Sequence, residues 1–127
     1  MAKFCASTVL DAGLKVVSEN CNKISVCSAL PTNVAEADST ANYRLAVTTI
    51  STATFTLGAG DVSGRKITIA QQSSIAIDKT GVATHIALYS TVSGVLYYVT
   101  MCTTQNLAST SNKVTIPAWD IELRDAT

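Results

Sequence analysis

Along the chain the apolar positions change rhythm once. Between residues 6 and 19, Leu10, Leu14 and Val17 recur at helical spacing with Val9 and Val16 beside them, and this stripe predicts one amphipathic helix. Ser7 or Thr8 is placed to cap its start. Asp11 falls three residues after Thr8, as a capping box requires, and Asn20 and Asn22 mark the end. Gly13 weakens the segment without breaking it.

After residue 22 the period shortens to two. Residues 23–28 alternate, with Ile24 and Val26 on one face. Residues 29–42 hold Pro31, Asn33 and several small or acidic side chains, and read as a long loop. Strand patterns follow at 43–50, 53–57 and 65–70, with Gly58 to Gly64 as a turn. Gln71 to Ser74 interrupts, and Ile75 and Ile77 resume the alternation. Residues 82–90 and 95–103 are the two clearest strands, joined through Val92-Ser93-Gly94 as a hairpin.

The last segment, 113–123, carries two phases. Val114, Ile116 and Ala118 share one parity; Trp119, Ile121 and Leu123 share the other, with Pro117 at the change. Proline cannot donate to a ladder, and a one-residue insertion flips the inward face. A bulge at Pro117-Ala118 is expected, on a strand that lies at an edge or crosses between two sheets. About seven or eight strands, spaced roughly 8–12 residues apart, predict a mainly β fold. The architecture expected is an antiparallel β-sandwich or barrel-like domain with one N-terminal helix, spanning residues 1–127 as a single unit.

Composition supports this reading. With 127 residues the chain has room for one domain, and apolar residues make up 47% of it. Charged residues are only 14%, against about 25% in ordinary soluble domains. Eighteen Thr and thirteen Ser supply the polar surface instead, and β-branched Thr favours sheet. A surface rich in hydroxyls and poor in charge also suits packing against other subunits.

The formal net charge is zero, and Arg65-Lys66 is the only adjacent basic pair, so direct nucleic-acid binding has no electrostatic footprint. No apolar run reaches the ~18 residues of a membrane span. Residues Met1 to Phe4 open no apolar stretch of signal-peptide type, so folding in a cytoplasm is expected. Cys5, Cys21, Cys27 and Cys102 form no C-x-x-C pair. At least three of them are expected to be small buried hydrophobes.

Candidate chemistry is sparse. His85 is the only histidine, and no G-x-S-x-G signature offers it a nucleophile; it reads as a structural residue of the sheet. Asp120 and Glu122 share a strand face and read as the polar side of an amphipathic strand rather than a hydrolytic pair. The glycines around Asp61 lack the spacing of a phosphate-binding loop. Tyr97, Tyr98 and Trp119 read as packing or interface anchors, although stacking on a base or a sugar is also open to them. No catalytic, cofactor-binding or metal-ligating residue is assigned.

Five segments together carry a resemblance. They are Val9-Leu10-Asp11-Ala12-Gly13-Leu14; Val26 through Thr32 followed by Glu36-Ala37; Asp61 through Lys66; Ala83-Thr84-His85-Ile86-Ala87-Leu88; and Ile116-Pro117-Ala118-Trp119-Asp120-Ile121. In this order they resemble small virion structural proteins of tailed bacteriophages, most of all capsid cement (decoration) proteins. The resemblance implies a homotrimer on the capsid exterior, made in the bacterial cytoplasm, that clamps neighbouring major capsid proteins and stabilises the DNA-filled head. It brings no cofactor and no catalytic residue. The alternatives are a tail or head–tail connector subunit, or a carbohydrate-binding β-sandwich. The helix and the loop 29–42 are the expected contact segments, and the candidate interface residues are Phe4, Leu10, Leu14, Val17, Leu30, Pro31, Tyr43 and Trp119.

Overall fold

In the computed structural model, which describes residues 6–61 and 64–123, the amphipathic segment is a helix, α1 (Ser7–Asn20). Leu10 and Leu14 are buried and Val17 packs half-buried beside them, so the apolar stripe faces the domain's own core. Ala6, not Ser7 or Thr8, holds the N-cap position, and no side chain caps the helix. Asp11 is spent differently from a capping box. Its Oδ1 accepts from Arg65 Nε at 2.7 Å and ties the helix to the sheet region.

The elements that follow are β1 (Lys23–Cys27), α2 (Val34–Asp38), β2 (Arg44–Thr49), a 3₁₀ turn (Thr52–Thr54), β3 (Phe55–Ala59) and β4 (Arg65–Ile69). Then come β5 (Gln72–Ala76), β6 (Gly81–Ser90), β7 (Val95–Leu107), β8 (Lys113–Ile116) and β9 (Trp119–Leu123). All pairings are antiparallel. The sheets run β2-β1-β6-β7, β3-β4-β9 and β5-β8. The fold is therefore mainly β with an N-terminal helix, sandwich-like, and not a closed barrel.

One core explains the layering. Ile24, Val26, Leu45, Ile86 and Leu88 project from the four-stranded sheet. They meet Ile67, Ile69 and Ile121 from the three-stranded sheet and Ile75, Val114 and Ile116 from the pair β5-β8, with Leu14 of α1 joining them. An isolated bridge, Ala46 to Ile77, stitches β2 to the end of β5, and Asp78 N and Lys79 N both donate to the Leu45 carbonyl, at 2.8 and 3.1 Å. At the start of β6, a Cβ on Gly81 would stand 3.0 Å from Leu45 Cδ2, so a larger residue there would push the Leu45 side chain aside.

Three differences from the sequence expectation have local causes. The two phases of 113–123 are two strands in two sheets: β8 pairs with β5, β9 pairs with β4, and exposed Pro117-Ala118 make the corner. This split raises the strand count among the described residues to nine. Gln72 to Ser74 belong to β5 and do not interrupt it; the register shifts between Gln72 and Ile75, and Ser74 takes a left-handed φ of 56°. Finally, β7 continues to Leu107, which lies opposite Gly81 and is buried, where polarity alone suggested that the strand ends at 103.

Candidate functional site

The loop 29–42 is a folded cover, not a free arm. Asn33 Oδ1 accepts from Glu36 N at 3.0 Å and caps α2, while Thr32 N and Oγ1 donate to Glu36 Oε1 at 2.8 and 2.7 Å. These bonds from Thr32 hold the Glu36 carboxyl below its usual range. So fixed, α2 lies on the outer face of the four-stranded sheet. Ala37 is fully buried there with Cys27, Ala87 and Tyr89, and Val34, Tyr43, Val47, Leu96 and Val99 pack around them.

A polar tie locks the cover down. Tyr89 Oη donates to Asp38 Oδ1 at 2.6 Å. Arg44 Nη1 donates to the Asp38 carbonyl at 2.9 Å, and its Nη2 lies 3.4 Å from Asp78 Oδ2. Burial, with the Asp38 carboxylate next in importance, pushes the Tyr89 hydroxyl well above its ordinary pKa.

The candidate interface residues divide accordingly. Leu10 and Leu14 are interior and cannot touch a partner in the folded chain, because the helix turns its long apolar stripe inward. Val17 packs on the same core. Pro31 is buried and Tyr43 is half-buried under the α2 cover. Trp119 is half-buried, packs on the main core, and lies 6.0 Å from Tyr98 with the rings tilted by 34°. Leu30 stands out, 57% exposed. Phe4 lies outside the described residues.

The outward apolar residues that sequence reasoning passed over include Val9 and Val16 on α1, Val82 on β6, Val92 in the β6–β7 turn and Met101 on β7. Val9 and Val16 are seven residues apart, so they share a helix face, and Ala12 and Gly13 between them are exposed too. The signal was present: a helix with Leu10, Leu14 and Val17 inward leaves Val9 and Val16 off that stripe.

The residues weighed for chemistry are engaged in structure. His85 Nδ1 and Thr84 Oγ1 are 2.8 Å apart. Lys66 Nζ donates to Asp61 Oδ1 at 2.7 Å and reaches Asp120 Oδ2 at 3.4 Å, which binds the β3–β4 turn to β9. The Asp61 bond is the main reason the Lys66 ammonium is held above its usual pKa. Among the described residues no group of three or more His, Cys, Asp and Glu side chains is placed to hold a metal ion, and no helix is long and apolar enough to cross a membrane.

Cys21 and Cys27 are buried and Cys102 is partly so; Cys5 lies outside the described residues. Burial pushes the Cys21 thiol up to about 12 and raises those of Cys27 and Cys102. Thiols with raised pKa are weak nucleophiles at neutral pH.

One concavity is apolar. A cleft of about 200 Å³ opens between β7 and the β8–β9 corner, lined by Val26, Ile86, Cys102, Val114, Ile116 and Pro117. It continues past Met101 to Trp119, whose Nε1–H is buried without a hydrogen-bond partner. Nothing in this lining supplies an acid–base pair or an activated nucleophile, so the arrangement suits contact with apolar side chains. Comparison of the chain with known protein families, with curated proteins and with solved structures finds no match.

Proposed function

We propose that the chain is a structural protein of a tailed-phage particle, a cement protein that binds the outside of the head as a trimer, clamps neighbouring major capsid proteins and catalyses no reaction. The observation that carries this reading is the outward apolar surface left over once the core is built. Val9 is 61% and Val16 50% exposed on one face of α1, and Leu30 is 57% exposed at the base of the α2 cover. All three project from elements anchored by the main core or by the Asn33 and Tyr89 hydrogen bonds, so they are presented without loose chain to order on binding. The resemblance of five ordered segments to phage virion proteins points the same way.

The half-buried Trp119, packed on the core and beside Tyr98, is poorly placed to stack on a sugar, so the cement reading is preferred to a carbohydrate-binding sandwich. The test is mass spectrometry of purified particles of the encoding phage after heads and tails are separated. Recovery of the chain with heads is the expected result. Recovery with tails, or absence from the particle, overturns the reading.

A further inference from the structure

We propose that β7 is a pairing edge for a second copy of this chain: two β7 strands join antiparallel across a two-fold axis and merge two four-stranded sheets into one. β7 is the last strand of its sheet, paired on its inner side to β6. Among the described residues nothing pairs with its outer side. Its 13 residues therefore present a row of backbone donors and acceptors about 40 Å long to solvent.

Proteins blunt such edges with charge, proline, shortness or cover. The other edges here show these devices. β2 carries Arg44 and is bridged at Ala46 to Ile77. β9 carries Asp120 and Glu122, and β8 carries Lys113 and runs into Pro117. β3 and β5 have only five residues each, and β5 is irregular at its start. From Val95 to Leu107, β7 holds no proline and no charged residue. An uncharged strand meets its own copy with no like charges opposed, so this edge is self-complementary in a way that the edges bearing charge are not.

The register follows from the faces. The pairing of β7 with β6 is irregular on either side of Tyr98 to Met101 and in step between them. A two-fold axis normal to the sheet keeps like faces together, so opposed residues must be an even number apart. An axis at Thr100 satisfies this within the regular stretch and sets Val99 against Met101 of the second copy. Met101 is 76% exposed, an unusual position for a long apolar side chain in a strand, and the pairing covers it. This contact is two-fold and lies on different elements from Val9, Val16 and Leu30, so it leaves the proposed capsid contact free and gives even-numbered assemblies.

The test is the light-scattering mass of the whole chain on a sizing column, with amide hydrogen exchange along β7, for the wild type, Met101→Lys and Met101→Leu. The expected wild-type species is twice 13.3 kDa, or an even multiple of it, with β7 amides protected. Met101→Lys halves the mass and raises the dissociation constant about tenfold or more, because a charge is set against apolar Val99 of the second copy and the two lysines stand diagonally across the axis. Met101→Leu stays associated, and unchanged circular dichroism of the lysine variant shows that the monomer is intact. A wild type that is monomeric or trimeric, or a lysine variant with unchanged mass and exchange, overturns the proposal. So does β7 protection that appears only after phage heads are added, which would assign the edge to a capsid segment and leave the function proposed above standing.

Discussion

β6 and β7 are the two arms of one hairpin, yet they live in different surroundings. From Ile86 to Ser90 every residue of β6 is buried, on both faces. β7 between Val95 and Asn106 has no fully buried residue. Composition does not separate them, because both are rich in apolar and hydroxyl side chains. Position does. β6 lies between β1 and β7, with the main core beneath and α2 above, whereas among the described residues β7 has a paired strand on one side only. A strand's burial is thus a property of what its neighbours cover. The uncovered arm is where a partner is to be sought.

The strongest way to test the contrast is to truncate a side chain in the buried arm. Leu88→Ala, at a fully buried position of the main core, is expected to cost about 2–5 kcal/mol in urea unfolding, from lost transfer energy and the residual cavity. Raising the pH attacks the same region. The Cys21 thiol titrates at about 12 in place of an ordinary 9.0, and the Tyr89 hydroxyl is raised from 10.0. Both groups bind their protons more tightly when folded, so their contribution is fully present below the ordinary values and is lost as pH rises toward the folded ones. Stability should therefore fall from about pH 9 upward. Cys21→Ala should make the fall above about pH 9 shallower without removing it, because Cys27 and Cys102 are raised from the same ordinary 9.0, as followed by fluorescence-detected unfolding across a pH series.

Smaller effects separate the cover from the sheet. Tyr89→Phe removes a hydrogen bond to a carboxylate and should cost about 1.5–3 kcal/mol. Asn33→Ala removes the α2 cap and should cost about 1 kcal/mol, read as faster amide exchange over residues 34–38 with β7 unchanged. At the bottom of the scale, Met101→Ala on the exposed arm should leave monomer unfolding within about 0.5 kcal/mol of wild type. A large loss there would mean that β7 is as deeply supported as β6.

Much of this contrast was legible beforehand, and the illegible part has physical reasons. The hairpin through Val92-Ser93-Gly94 was readable because alternating runs flank a turn that needs a left-handed residue, and Gly94 takes φ 70°. Pro117 announced the corner that splits β8 from β9. The two-sided burial of β1 and β6 was not readable, because alternation shows that Ile24 and Val26 share a face but not what lies on the face of Ser25 and Cys27. α2 has five residues, too few to show a period, and Pro31 and Asn33 made the segment look like open loop. Its one sequence mark was Asn33 three residues before Glu36, an N-terminal capping pattern. Leu10, Leu14 and Val17 were read as outward contacts for a related reason. An apolar stripe such as Leu10, Leu14 and Val17 is the one a domain keeps for itself, so partners must be sought among the apolar residues off the stripe, Val9 and Val16.

The central claim is that this chain works through its outward surfaces on a phage head. Its most direct test is a cryo-electron microscopy reconstruction of emptied heads of the encoding phage, stripped of the protein and then incubated with it. The account predicts added density on the outer surface at three-fold positions, with α1 and Leu30 turned toward the capsid. Heads that stay bare at saturating protein would contradict it.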